Sequence, residues 1–289
     1  MRLYVNQKLP SAVRRQRIYD GDIFLMTKLK SGHQMGNFAE TCIYEVFGSE
    51  SPQTAHKRHP VEEFIEKGSQ LKSHFTNHKR CKELIRDFIS ELDEDPQNYF
   101  FDVPRLRVIT PYDYLHAGVS YQYKPHRDTW YGAPSCQIQT WMPIFPTEPE
   151  ATMPLYPSYF NREIKNSSND FDLKRWIEVE RPEAVHQTTT DNRKHPLSQE
   201  EIDPAAEVLV AGDRGDILIF SGRHLHSSKP NRGDTIRFSI DFRIYSEYDL
   251  YNGKGPDRLD DQSTSKAYGL KDMLRASDFS HGEPIEHID

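Results

Sequence analysis

The spacing of apolar residues along the chain changes character near Tyr99. Before that point it follows a helical period. Phe38, Cys42, Ile43 and Val46 fall on one face, with Asn37 just ahead of them as a candidate N-cap. Between Val61 and Leu92, apolar residues recur at Phe64, Ile65, Leu71, Phe75, Cys81, Leu84, Ile85, Phe88, Ile89 and Leu92, with charges between them. This predicts a helix after Gly36, a polar loop over 48–60, and a long helical region broken near Gly68. One short strand, Ile23 to Met26, is expected ahead of the helices, after the turn Tyr19-Asp20-Gly21-Asp22.

Beyond Tyr99, short runs of β-branched and aromatic residues alternate with turns. Strands are expected at Val108 to Thr110, Val119 to Tyr123, Gln137 to Ile144, Val208 to Val210, Ile217 to Phe220 and Thr235 to Tyr245. In the last of these, Thr235, Arg237, Ser239, Asp241 and Arg243 alternate with Ile236, Phe238, Ile240 and Phe242. One face is therefore apolar, and the other must meet water, partner groups or a ligand. Residues 147–206 form a long polar stretch, but Tyr156, Tyr159, Phe160, Phe171 and Trp176 punctuate it, which favours an ordered insertion. A final short helix is expected around Lys266 to Arg275. Helices first and strands later predict a mainly β fold with supporting α-helices. The expected architecture is a double-stranded β-helix, that is, a cupin-like jelly roll.

No Gly/Ser-rich or Pro-rich linker divides the 289 residues, so a single domain is expected. Residues 1–98 would be mainly helical support, 99–250 the jelly-roll core with the 147–206 insertion, and 251–289 a C-terminal extension. Acidic residues outnumber basic ones, 44 to 37, and the basic ones are scattered, which excludes a nucleic-acid-binding stripe. Cys42, Cys81 and Cys136 are far apart and odd in number, against both a disulfide framework and a CxxC zinc site. No stretch approaches the roughly 18 apolar residues of a membrane span, and the N-terminus lacks a signal-peptide run. A cytoplasmic protein without membrane contact is expected.

The triplet His126-Arg127-Asp128 carries the candidate chemistry. On a strand, residues two apart face the same side, so an imidazole and a carboxylate would point at one place. A second histidine from elsewhere would complete the face of two imidazoles and one carboxylate used for non-haem Fe(II). The same letters occur in protein-kinase catalytic loops, but the asparagine expected five positions after Asp128 is missing and no Gly-rich phosphate loop precedes it. Gly215-Asp216 opens a buried strand, and His224-Leu225-His226 follows it, so either histidine could be the third ligand. Arg237 would be a guanidinium suited to a carboxylate if its strand face is enclosed. His74 and His78 lie i, i+4 but lack the glutamate of a zinc-protease motif, and a solvated helix face is the expectation there.

These features resemble the Fe(II)/2-oxoglutarate-dependent oxygenases, most closely the phytanoyl-CoA dioxygenase-like branch. The resemblance covers roughly residues 120–245. It rests on His126-Arg127-Asp128, on Gly215-Asp216 leading to His226, on His226-Ser227-Ser228, and on Arg237 eleven positions after His226. It implies that His126, Asp128 and His226 hold Fe(II) and are the catalytic centre, and that Arg237 binds the distal carboxylate of 2-oxoglutarate. Ser228 or Ser239 would assist that carboxylate, and Trp141 would border the cosubstrate. His224 then becomes a pocket residue, and Trp130 and Tyr131 are candidate substrate contacts. Dioxygen is the second cosubstrate. A carboxylate at Asp128 fills the position that related halogenases leave for chloride, so hydroxylation is implied over halogenation. The substrate would be a small molecule, with the insertion as a lid offering Tyr156, Tyr159, Phe160 and Trp176 for contacts and Arg162, Lys165, Lys174 and Arg175 for an anionic group. Two other readings stand beside this one. A cupin-type protein hydroxylase or demethylase commonly uses a lysine where this chain has Arg237, and a catalytically silent jelly-roll module would not bind iron.

Overall fold

The computed structural model describes residues 1–48, 50–263 and 272–282. In chain order the main elements are β1 (Leu3–Val5), α1 (Ser11–Tyr19), β2 (Ile23–Met26), α2 (Lys30–Phe47), α3 (Val61–Asn77) and α4 (Lys79–Glu91). There follow β3 (Tyr99–Phe101), β4 (Arg105–Ile109), β5 (Ile138–Pro143), β6 (Met153–Leu155), β7 (Val208–Val210), β8 (Ile217–Ser221), β9 (Arg237–Ser246) and β10 (Leu274–Arg275). One broad sheet runs in the order β1-β2-β8-β5-β9-β3-β10, with β4 also paired to β9, and β6 and β7 form a separate two-stranded sheet. A mainly β core with helical support is present, as expected. Among the described residues the strands do not close into a barrel, because the second sheet has only two.

Strand β9 organises the broad sheet. Its alternation puts Phe238, Ile240, Phe242 and Ile244 into the main core together with Leu106, Val108, Ile138, Met142, Ile217 and Ile219 from neighbouring strands. Helices α2, α3 and α4 cover this face with Met35, Ala39, Leu71, Phe75, Leu84 and Phe88, and the Phe88 ring meets Phe242 edge-on at 5.3 Å. Truncating a fully buried phenylalanine such as Phe242 would cost about 3–5 kcal/mol. The opposite face carries Arg237, Ser239, Asp241 and Arg243, and register places Arg107 beside Ser239, Arg105 and Trp141 beside Asp241, and Gln139 beside Arg243. These side chains line a cavity. One backbone thus supplies both the core and the site.

Several boundaries differ from expectation. Helix α2 starts at Lys30 rather than after Gly36, and Asn37 lies inside it. Its first turn is capped from a distance, since the Glu91 carboxylate accepts from Lys30 N (3.1 Å) and Ser31 N (2.7 Å). Gly32, which reads as a helix breaker, allows close approach: a Cβ there would lie 2.8 Å from the Gly215 carbonyl oxygen. The second helical region breaks at His78 rather than at Gly68. The His78 backbone is extended (ψ 131°), and its ring Nδ1 accepts from Arg80 N at 3.1 Å, starting α4. His74 is exposed on the helix surface.

The segment expected as a strand at Val119 to Tyr123 instead begins as a short 3₁₀ turn, Gly118–Ser120. The insertion passes too close for anything else: a Cβ on Gly118 (φ 55°) would meet the carbonyl oxygens of Gln187, Ala184 and Val185 within 3 Å. The insertion is ordered and contributes β6. Of the helix expected at Lys266 to Arg275, residues 266–271 lie outside the described residues. The described end, Leu274–Arg275, is β10, paired with β3. No helix among the described residues is long and apolar enough to cross a membrane.

Candidate active site

His126 and His226 face each other across a single antiparallel bridge. Each backbone N–H donates to the other residue's carbonyl at 3.0 Å, so both rings project to one side, with centroids 4.4 Å apart. Asp128 is not on a regular strand but opens a 3₁₀ turn, Asp128–Tyr131. Arg127 before it is extended (φ −111°, ψ 143°), and that keeps the same-side relation between His126 and Asp128. Asp128 N donates to Gly222 O at 3.0 Å, fixing the turn to the loop after β8.

The ligand atoms converge on one point. His126 Nδ1 lies 2.8 Å from Lys124 O, and His226 Nδ1 lies 2.9 Å from His224 O. A carbonyl can only accept, so each Nδ1 carries a hydrogen and each Nε2 is the atom turned to the cluster. Both Nε2 atoms lie 3.7 Å from Asp128 Oδ1. The other oxygen, Asp128 Oδ2, accepts from Gln137 Nε2 at 2.6 Å and Arg243 Nε at 3.4 Å, leaving Oδ1 for the cluster. Burial, then the neighbouring His226, pushes His126 well below the usual imidazole range, keeping it neutral. Burial also raises the Asp128 carboxyl. Two imidazoles and a carboxylate, all buried and with ligand atoms all within 4.8 Å of one another, fit a divalent transition-metal ion.

The same cavity, of about 530 Å³, receives Arg237, Ser239, Ser228, Trp141 and Tyr131. Arg237 is 8% exposed and donates from Nη1 to Ala151 O at 3.0 Å, while its Nε has no partner. Burial, then Arg107, pulls its guanidinium down to about 10. The Ser239 hydroxyl is buried without a partner. A buried cation and a buried hydroxyl on one strand face have the donors that could hold a carboxylate. Trp141 packs with Met153, Leu155, Leu218 and Phe220 and closes one wall.

No protein-family model and no curated protein matches the chain. Solved structures do match. One is the non-heme monooxygenase ThoJ, at 15% identity over 80% of this chain and 76% of that chain, with a TM-score of 0.43. Another is EvdO2 from Micromonospora carbonacea var. aurantiaca, complexed with 2-oxoglutarate, at 13% identity over 82% and 91%, with a TM-score of 0.48. A third is the epimerase SnoN, in complex with Fe3+, alpha ketoglutarate and nogalamycin RO, at 12% identity over 82% and 85%, with a TM-score of 0.41. At such identities and scores, the chain's own residues carry the functional argument.

Not every residue singled out from the sequence reaches the cavity. Trp130 is fully buried and donates from Nε1 to Asp260 at 2.9 Å, so it packs behind the site. His224 is also fully buried; its Nε2 lies 3.1 Å from Gly21 O and its ring packs on Phe160, away from the cavity. It serves the cluster only through its backbone carbonyl. Of the insertion's aromatic residues, Trp176 lines the cavity, while Tyr156 and Tyr159 pack with Trp130. Arg162 and Arg175 pair with Glu200 and Glu180, and Lys165 and Lys174 are likewise not among the cavity residues. The insertion's cavity cations are instead Arg181 and Arg193.

Sequence reasoning missed Gln137 and Arg243, which hold Asp128, and Lys72, Arg105 and Arg107. A signal existed for the last two. Arg105 and Arg107 alternate with Leu106 and Val108 just as the polar residues of β9 alternate with its apolar ones. Arg127, left without a role, is fully buried and donates from Nη2 to Tyr159 O and Arg162 O at 2.7 Å, tying the insertion to the triplet.

Proposed function

We propose that the chain is an Fe(II)- and 2-oxoglutarate-dependent oxygenase that hydroxylates a small molecule, in a double-stranded β-helix of the phytanoyl-CoA dioxygenase-like branch. The observation that carries this reading is the pairing, in one cavity, of a cluster of two histidines and one carboxylate with a buried arginine that has no carboxylate partner among the described residues. His126, Asp128 and His226 would hold the iron. When bound with 2-oxoglutarate, it supplies the oxidant for a substrate C–H bond. Arg237 would take the distal carboxylate of 2-oxoglutarate, and Ser239, with Ser228 beside it, has a hydroxyl to offer the same group. Trp141 walls the cosubstrate, and Tyr131 and Trp176 exclude water from the substrate side. Because Asp128 is retained as a third protein ligand, hydroxylation is preferred to halogenation. A cytoplasmic location and a small-molecule substrate belong to the same proposal.

The test is optical. Anaerobic protein with Fe(II) and 2-oxoglutarate is expected to show a weak visible charge-transfer band. Its absence from folded, metal-loaded protein would refute the reading. Asp128→Ala and His226→Ala should abolish the band, whereas His224→Ala, away from the cavity, should keep it at some cost in stability.

A further inference from the structure

The charge lining the cavity does not balance. Arg105 pairs with Asp102 (3.1 Å), Arg107 with Asp241 (2.7 Å), Arg193 with Asp191 (2.5 Å), and Arg243 with Asp102 and Asp128 (3.2 and 3.4 Å). Lys72 and Arg237 form no ion pair with a carboxylate among the described residues. Arg237 is accounted for by the cosubstrate. Lys72 projects from α3 into the cavity, and among the described residues its ammonium donates to the Val119 carbonyl oxygen. It sits within the field of Arg107, Arg193 and Arg181, and burial followed by these three cations pulls its ammonium down to about 7. In a protein whose overall charge is −7, this is a concentrated positive site.

Two further donors share the cavity with Lys72 and lack acceptors. The Ser69 hydroxyl, one helical turn before Lys72 on the same face of α3, is buried without a partner, and so is Trp176 Nε1. Arg181 lies over the Trp176 ring at 6.0 Å, which brings the insertion's positive charge to that indole. Buried donors without acceptors are costly in a folded protein, and here a hydroxyl and an indole N–H without acceptors among the described residues share a cavity with an ammonium that has one. Anionic oxygen atoms are acceptors that suit all three.

We propose that Lys72, Ser69 and Trp176 form a receptor for an anionic group, a carboxylate or phosphate ester, on the small-molecule substrate. The word substrate rests on the oxygenase reading, but the anion site does not. Lys72 donates to Val119 O and Arg237 to Ala151 O, on different segments, and in this proposal each takes its own anion. The arginine pairs around Lys72 supply field, and Lys72 supplies the direct contact. The lid would thus recognise the substrate through Trp176.

The probes are phenylacetate and phenyl phosphate, with phenylacetamide as the neutral control. Binding is read by calorimetry and thermal shift on the anaerobic Fe(II)-loaded chain saturated with 2-oxoglutarate, and again on the metal-free chain. At least one anion should bind and the amide should not. Lys72→Met should weaken the anion by about tenfold or more, Lys72→Arg should restore most of that loss, and Trp176→Phe should give a smaller one. The affinity of Lys72→Met for 2-oxoglutarate should stay within about twofold of the parent, as expected for a residue outside the cosubstrate contact. Preference for one anion names the carboxylate or the phosphate as the recognised group. Equal anion affinity in the parent and Lys72→Met overturns the proposal, as does binding of the amide or failure of both anions. Loss of 2-oxoglutarate affinity in Lys72→Met also overturns it, by making Lys72 a cosubstrate anchor. If Fe(II) and 2-oxoglutarate fail to bind while the metal-free chain still discriminates anion from amide through Lys72, the oxygenase reading falls and the anion site stands.

Discussion

At the scale of single residues, the site is built from side chains whose partners are absent. Arg237 is the clearest of them, because a buried guanidinium whose Nε has no partner among the described residues carries a desolvation cost that a carboxylate would relieve. Arg237→Met should raise the dissociation constant of 2-oxoglutarate by about tenfold to a hundredfold, measured by titration of the charge-transfer band, with Fe(II) affinity unchanged. The sequence made this residue visible through strand alternation. It could not show Lys72, whose helix presents a mixed face of Ser69, Lys72 and Thr76 that reads as solvated until these residues are seen to line the cavity with β4 and the insertion. Nor could it separate His224 from His226 without the resemblance. What separates them in space is the bridge to His126, a contact 100 positions away in sequence.

At the scale of elements, periodicity located most helices and strands, and misplaced their ends wherever a distant group decided the boundary. The start of α2 is the instructive case. Its own sequence has no cap at Leu29, so the orphan N–H groups of the first turn depend on Glu91 at the far end of α4. Glu91→Ala should lower stability by about 1–2 kcal/mol, measured by chemical denaturation. Glu91→Gln, which keeps one acceptor oxygen, should lose less. The break between α3 and α4 fell at His78 because an imidazole there caps the second helix, a role that propensity alone does not assign. Gly68, the expected break, stays helical, and a Cβ there would lie 3.7 Å from the Val119 side chain.

At the scale of the whole molecule, the insertion is tied to the site by buried polar contacts that depend on pH. His195 stacks on Tyr121 with ring centroids 4.4 Å apart, and its Nδ1 lies 3.0 Å from the Tyr131 hydroxyl. Burial, then Arg193, pulls its imidazole from 6.5 down to about 3. The folded value lies below the unfolded one, so the unfolded chain binds the extra proton first. Stability from this residue is complete above pH 6.5 and is lost as the pH falls towards 3. Its share should reach about 2 kcal/mol by pH 5, using about 1.4 kcal/mol per pH unit. Denaturation at pH 7 and pH 5 should therefore show a smaller acid loss in His195→Phe than in the parent at equal metal loading. An equal loss would place the acid sensitivity elsewhere. Aromatic residues in an otherwise polar stretch were enough to read the insertion as ordered, but not to say which residues reach the cavity.

The orientation of the two imidazoles has a consequence for how this protein can change. Each is steered by a main-chain oxygen, of Lys124 and of His224, and substitution of those side chains leaves the oxygens in place. The cluster is therefore insulated from sequence drift at the very positions that orient it. Residues such as Trp176 of the insertion and Ser69 of α3 line the cavity with their side chains and have no such protection. A lineage built on this frame can exchange the molecules it recognises while the centre that would act on them stays fixed.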